Sequence, residues 1–258
     1  MKLTFYKYQG TGNDFVMIDN REGVFDKSNI ELIQKMCDRK FGIGADGLIL
    51  IENMNDLDFN MVYFNSDGSQ SFCGNGSRCA VAFAKFLGII HSQAYFNSTD
   101  GEHEAWINAN GEVSLKMHDV AAIEKGDGYY FINTGSPHYI EEVKNVKEIN
   151  VYEKGKEVRY NDRFKAEGTN VNFVKYNQEE IDIRTYERGV EDETLSCGTG
   201  VTAAALSWAD KFKLTSGKVK VNSQGGELSV AFKRNENGFN DIWLIGPATF
   251  VFKGEYKV

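Results

Sequence analysis

Apolar and polar residues alternate from the first positions of the chain. In Lys2-Leu3-Thr4-Phe5-Tyr6-Lys7-Tyr8 the period is that of a half-buried strand. A turn, Gly10-Thr11-Gly12-Asn13-Asp14, interrupts it, and FVMID resumes extended chain. The period then lengthens. NIELIQKMCDR, about 29–39, reads as a helix capped by Ser28, with Ile30, Ile33 and Cys37 facing inward. LILIE and DFNMVYFN are further strands. A second helical run places Ala80, Val81, Phe83, Ala84 and Leu87 over most of its surface and ends at Gly88. Strand-like segments follow near 93–97, 102–108 and 112–117. The second half opens on GYYFINTGSPHYIEEV, read as strand, turn and strand with Pro137 and His138 in the turn. A charged stretch at 141–153 suits a short helix, and RFKAEGTNVNFVKY gives strand and turn around Asn170. Val201, Ala203 to Leu206, Trp208 and Phe212 predict another long helix. KVKVNSQGGELSVAFKR and DIWLIGPATFVFKGEYKV close the chain as two hairpin-like pairs.

The two long helices share an entrance. One follows Cys73-Gly74-Asn75-Gly76, the other Cys197-Gly198-Thr199-Gly200. Both are apolar on more than one face, which predicts central, buried helices. Each cysteine therefore stands just ahead of a helix N-terminus, where amide N–H groups and the macrodipole favour a thiolate. Two such thiols suit a two-cysteine mechanism. Other landmarks recur in the same order. Thr11-Gly12-Asn13 is matched by Thr134-Gly135-Ser136, and Gly44-Ala45-Asp46 by Gly168-Thr169-Asn170. With the cysteines, the offset stays at 123 to 124 residues (134 − 11, 168 − 44, 197 − 73). So long a period excludes a solenoid and predicts two homologous domains, residues 1–117 and 118–249.

Composition narrows the function classes. Hydrophobic content of 41% and charged content of 26% are globular values. The net charge of −8 and the absence of any Lys/Arg block argue against nucleic acid or an acidic membrane as partner. The N-terminus has no signal-peptide core and no stretch is long enough to span a membrane, so a cytoplasmic enzyme is expected. Four cysteines (Cys37, Cys73, Cys79, Cys197) in 258 residues make no disulfide scaffold, and Cys37 reads as a small buried hydrophobe. Cys73 and Cys79 lack C-x-x-C spacing and the four histidines do not cluster in sequence, so no metal is expected. FGIGADG is glycine-rich but lacks the Lys-Ser/Thr ending of a phosphate loop and precedes a strand, which excludes that role. A thiol-disulfide redox protein is disfavoured, because Cys73 and Cys197 are far apart in the chain. His138 is either structural or part of a site. Glu187-Arg188 is either a surface ion pair or a device recognising both charges of an amino acid.

GTGNDF, FGIGADG, FNSDGS, CGNGSRC, GSPH, GTNVNF, YERG and CGTG, in this order, resemble the diaminopimelate epimerase family along nearly the whole chain. The resemblance implies an α/β (α+β) fold of two pseudo-symmetric domains. Each is a curved, mainly antiparallel sheet around a central helix, with the C-terminal strand, 250–258, returning to the first domain. It implies an active site in the cleft between them and epimerisation of LL-2,6-diaminopimelate to the meso form without a cofactor, in lysine and peptidoglycan precursor synthesis. Cys73 and Cys197 would be the acid/base pair, and the developing carbanion would rest on amides near Gly74, Asn75, Gly198 and Thr199. Asn13, Asn65, Asn170, Glu187 and Arg188 would line the substrate site, and His138 and Glu187 would tune the thiols. A homodimer is the expected assembly. Two departures stand out. Ser136 replaces an Asn found in some members, and Gly47 replaces a Gln.

Overall fold

The structure is a computed structural model in which residues 2–258 are described. The chain divides into two compact units, Met1–Leu115 with Gly246–Val258, and Lys116–Ile245. Among the described residues, no helix is long and apolar enough to cross a membrane.

The first unit contains β1 (Lys2–Gly10), β2 (Asn13–Asp19), α1 (Ile30–Cys37), β3 (Gly47–Glu52), β4 (Phe59–Asn65), α2 (Gly74–Phe86), β5 (Gln93–Ser98), β6 (Gly101–Ile107) and β7 (Val113–Lys116). β1 and β2 form a hairpin whose two turn residues, Thr11 and Gly12, both have positive φ (51° and 84°). A right-handed strand twist favours such a turn, and Gly12 removes half its steric cost. From β1 to β7 the successive pairings are antiparallel, parallel, antiparallel, parallel, antiparallel and antiparallel. Phe15 to Ile18 of β2 and Leu48 to Ile51 of β3 are all fully buried. These continuous apolar runs arise because the sheet is covered on both faces. Val16, Ile18, Leu48 and Leu50 pack with Ile33 and Met36 of α1. The buried α2 packs against β1, β2, β3, β4 and β6.

The second unit contains β8 (Glu124–Lys125), β9 (Tyr129–Asn133), β10 (Pro137–Glu142), α3 (Val151–Arg159), β11 (Asn170–Tyr176), β12 (Glu180–Glu187), β13 (Asp192–Thr194), α4 (Gly198–Lys211), β14 (Ser216–Ser223), β15 (Gly226–Asn235) and β16 (Gly238–Gly246). Along β9-β10-β11-β12-β14-β15 the pairings run antiparallel, parallel, antiparallel, parallel, antiparallel. β15 to β16 is antiparallel again. The order is that of β1 to β7, element for element, with α3 and α4 in the places of α1 and α2. The same sequence of pairings thus recurs in both units. The mixed α/β fold, rich in sheet, agrees with the class expected from sequence.

Several local expectations are corrected. Asn29, not Ser28, caps α1, its Oδ1 accepting from the Leu32 amide at 3.1 Å; the Ser28 hydroxyl bonds Asp26 instead. Ile30 is exposed, and Met36 is buried with Ile33 and Cys37. The charged stretch 141–153 holds a 3₁₀ turn at Val146–Glu148 and only the start of a helix, which begins at Val151 and runs on to Arg159. His138 is not in a turn: it is the second residue of β10 and fully buried. The final strand, β17 (Thr249–Lys257), pairs antiparallel with β1 rather than closing a hairpin of its own.

Candidate active site

Cys73 is the N-cap of α2, and its sulfur accepts the Gly76 amide at 3.3 Å. That bond and the helix N-terminus favour the thiolate. Arg78, one turn into α2, adds a fully buried cation. Its guanidinium bonds the Gly74 carbonyl, the Thr11 hydroxyl and the Pro247 carbonyl at 3.3–3.5 Å, and burial lowers its pKa to about 10. Asn13 acts in the opposite sense. The Cys73 thiol donates to Asn13 Oδ1 at 3.5 Å, and Asn75 Nδ2 donates to the same oxygen at 3.5 Å. An acceptor at this distance stabilises the protonated sulfur. Asn13, Cys73 and Asn75 are thus brought together by the β1–β2 turn and the start of α2.

Asn65, at the end of β4, is fixed by its neighbours. Its Oδ1 accepts from the Tyr63 hydroxyl at 2.9 Å, and its Nδ2 donates to Ser69 Oγ at 3.0 Å and Ser71 Oγ at 3.2 Å. Tyr63 also explains Gly47. A Cβ at 47 would lie 2.4 Å from the Tyr63 ring and 2.5 Å from the Phe64 carbonyl, so the aromatic ring takes the space of a side chain. Sequence reading missed Tyr63 because it alternates with Asn65 as an ordinary inward strand residue.

Cys197 begins α4 in the same way, but its side chain makes no capping bond to the helix. Its sulfur lies 3.4 Å from Thr199 Oγ1, which lies 2.9 Å from His138 Nε2. The proton positions along this line follow from its far end. Asn172 Nδ2 donates to the Tyr139 carbonyl at 2.9 Å and must be the NH₂ group; it also meets His138 Nδ1 at 3.1 Å. His138 Nδ1 is therefore an acceptor, and the ring proton sits on Nε2 and points to Thr199. The Thr199 hydroxyl, accepting that proton, turns its own hydrogen to Cys197. A donor at the sulfur favours the thiolate. Burial, with the Arg188 charge as a lesser cause, depresses the His138 pKa to about 3, so the ring stays neutral and keeps this tautomer. Gly200 is required by the same arrangement: a Cβ there would stand 2.6 Å from Asn172 Oδ1 and 3.2 Å from His138 Cε1. Asn172 was missed by sequence reading; its position two residues after Asn170 on one strand, hence on the same face, was the available signal.

Asn170 Nδ2 donates to Ser136 Oγ at 2.8 Å and the Pro137 carbonyl at 2.9 Å, while its Oδ1 accepts the Arg188 amide at 3.0 Å. The Arg188 guanidinium reaches the Glu167 carbonyl at 3.0 Å and Ser136 Oγ at 3.3 Å and remains exposed. Ser136 is short but serves as acceptor for both. Glu187 accepts the Thr194 hydroxyl at 2.7 Å. The other two thiols are chemically quiet: burial pushes Cys37 and Cys79 up to about 12.

A model of the diaminopimelate epimerase family matches residues 5–123 and 130–251. The chain belongs to the diaminopimelate epimerase family. Within it, a Flavobacterium psychrophilum protein named diaminopimelate epimerase is 53% identical over 255 residues, covering 98% of this chain and 99% of that one. A Chlorobaculum tepidum protein of the same name is 43% identical, covering 95% and 98%. Two solved structures share the fold at low identity. A Bacillus anthracis phenazine biosynthesis protein of the PhzF family has a TM-score of 0.77 at 14% identity, covering 100% of both chains. A probable proline racemase from Agrobacterium radiobacter has a TM-score of 0.68 at 14% identity, covering 99% of this chain and 92% of its own.

Proposed function

We propose that this member of the family epimerises LL-2,6-diaminopimelate to meso-diaminopimelate by two-cysteine acid/base chemistry. The observation that carries the reading is the 53% identical relative of that name, matched over nearly its full length. The paired thiols at two equivalent helix starts support it. One thiolate takes the α-proton and one neutral thiol returns a proton to the opposite face. The hydrogen bonds favour unlike states, Cys197 as thiolate beside a donor hydroxyl and Cys73 as thiol beside an acceptor carbonyl. The Gly76 amide and the Arg78 cation keep Cys73 able to ionise when the reaction reverses. The amides of Gly74, Asn75, Gly198 and Thr199 are assigned to the substrate carboxylate, whose charge grows as the carbanion forms. Asn13, Asn65, Asn170, Glu187 and Arg188 are assigned to the remaining substrate groups, and no cofactor is called for. Catalysis by free thiols would suit a reducing compartment such as the cytoplasm, and a symmetric homodimer is the expected assembly.

The test is incubation of the purified protein with LL-diaminopimelate, without added cofactor, followed by chiral separation. Appearance of the meso isomer supports the reading. No conversion, with racemisation of proline under the same conditions, would assign the chain to a different amino-acid isomerase activity.

A further inference from the structure

Asp46 stands behind Asn13 and shows it only oxygen. Its Oδ2 accepts from Asn13 Nδ2 at 2.6 Å and from the Asp14 amide at 3.1 Å, and its Oδ1 accepts from Arg39 Nη2 at 2.7 Å. Arg39 also clamps Asp14, whose other carboxylate oxygen is paired with the buried Lys7 at 2.8 Å. Burial would raise the Asp14 carboxyl, but the hydrogen bonds from Arg39 and Lys7, and after them their charges, hold it down near 2. This lattice of two cations and two carboxylates keeps Asp46 in place as an acceptor. An ionised carboxylate has no hydrogen to give. It accepts only the NH₂ end of Asn13, so the carbonyl end must face Cys73.

We infer that Asp46 is a positioning residue which locks the Asn13 amide so that Cys73 meets an acceptor, and thereby holds Cys73 toward its neutral thiol form. The step rests on the reading of Cys73 as one of two acid/base thiols. The second unit carries the same device in altered form. Ser136 stands at the position of Asn13 and Asn170 at that of Asp46, and they too are joined, Asn170 Nδ2 donating to Ser136 Oγ at 2.8 Å. There the pair bonds the Arg188 guanidinium at Ser136 Oγ and the Arg188 amide at Asn170 Oδ1, and not the thiol network. A repeated contact has thus been turned to two uses. The carboxylate version sits with the cysteine whose sulfur donates, and the amide version lies in the unit whose cysteine receives a hydrogen bond from Thr199. Without an acidic residue at 46, the Asn13 amide would lose its short bond at Nδ2 and keep only the long Asn75 contact at Oδ1 (3.5 Å), so it would hold the Cys73 thiol less firmly in its neutral form.

The experiment is alkylation of Asp46→Ala by iodoacetamide near neutral pH, with the rates at Cys73 and Cys197 read separately by peptide mass spectrometry. Loss of one acceptor predicts a rise of about three- to tenfold at Cys73, with Cys197 unchanged. Asn13→Leu, which removes the acceptor itself, should raise the Cys73 rate comparably, and Asp46→Ala should add nothing in that background. A Cys73 rate that does not rise overturns the inference. So does a rise shared equally by Cys197, which marks general loosening, or effects of the two substitutions that simply add. Should Asp46→Ala fail to fold, an unchanged Cys73 rate in Asn13→Leu is the contrary result. The labelling needs no substrate. If it behaves as expected while the wild type does not convert diaminopimelate, the functional reading fails and the inference about Asp46 stands.

Discussion

Replacing Thr199 by valine keeps its shape and deletes one hydroxyl. The structure gives that hydroxyl two tasks, 2.9 Å from His138 Nε2 and 3.4 Å from Cys197 Sγ. A hydrogen bond to a charged group is worth about 1.5–3 kcal/mol, so its loss should disfavour the Cys197 thiolate by about that much. At a pH low enough for the neutral thiol to predominate, the thiolate fraction, and with it the alkylation rate, should fall roughly ten- to a hundredfold. The buried His138 N–H also loses its acceptor, which costs about 1–3 kcal/mol of stability. The Thr134 hydroxyl contact survives, because it is made to the Thr199 backbone carbonyl. The assay is the pH dependence of iodoacetamide labelling at Cys197, with Cys73 in the same protein as reference. Thr199→Ser should restore most of the rate. A Thr199→Val profile that superimposes on wild type would refute the relay from His138 to Cys197.

Cys73→Ala and Cys197→Ala should each abolish epimerisation with the fold retained by circular dichroism, whereas Cys37→Ala and Cys79→Ala should keep most activity. Native protein treated with iodoacetamide at pH 8 should carry label at Cys73 and Cys197 and none at Cys37 or Cys79, whose pKa values lie near 12. Gly200→Ala drives a methyl group against Asn172 and His138, so urea denaturation should show a loss of about 1–3 kcal/mol and Cys197 labelling should slow. His138 has a folded pKa of about 3 against 6.5 when unfolded. Its contribution is therefore intact above pH 6.5 and lost as pH falls toward 3, by up to about 1.4 kcal/mol per unit. Between pH 6.5 and 4.5, His138→Asn should show a shallower loss of urea stability than wild type. Arg188→Lys, losing the forked geometry that binds a carboxylate, should lower kcat/KM for diaminopimelate while Cys73 and Cys197 alkylate as before.

The framework was legible because its signals are local. A cysteine, a Gly-x-Gly turn and an apolar run specify where α2 and α4 begin, and Gly88 with φ 73° ends the first of them. Repetition of short triplets pointed to a duplication, while the strand order that recurs in both halves is visible only in the structure. The networks around the thiols were not legible, because their members are distant in sequence. His138 meets Thr199 across 61 residues, and only that partner and Asn172 give a histidine a reason to be buried in a strand. Its neighbours suggested a turn, since Gly135 and Pro137 flank Ser136, yet the chain is already extended at Pro137. Asp46 read as one letter of a glycine-rich loop. Its role depends on Asn13, 33 residues earlier, and on the Lys7 and Arg39 charges beside it. The Ser28 cap failed for a narrower reason: Asp26 takes its hydroxyl, and Asn29 is as good a cap one residue later.

If this chain makes and breaks the α-C–H bond of diaminopimelate with its own two thiols, solvent hydrogen enters that bond and both cysteines are needed. The direct measurement is incubation of LL-diaminopimelate with the wild type, Cys73→Ala and Cys197→Ala in deuterated water, following α-deuterium by NMR, with proline as a parallel substrate. From this two-thiol chemistry, deuterium is expected at the inverted centre of the meso product with the wild type, and no inversion with either variant. Exchange into proline but not diaminopimelate, or inversion by a protein lacking one of these cysteines, would contradict it.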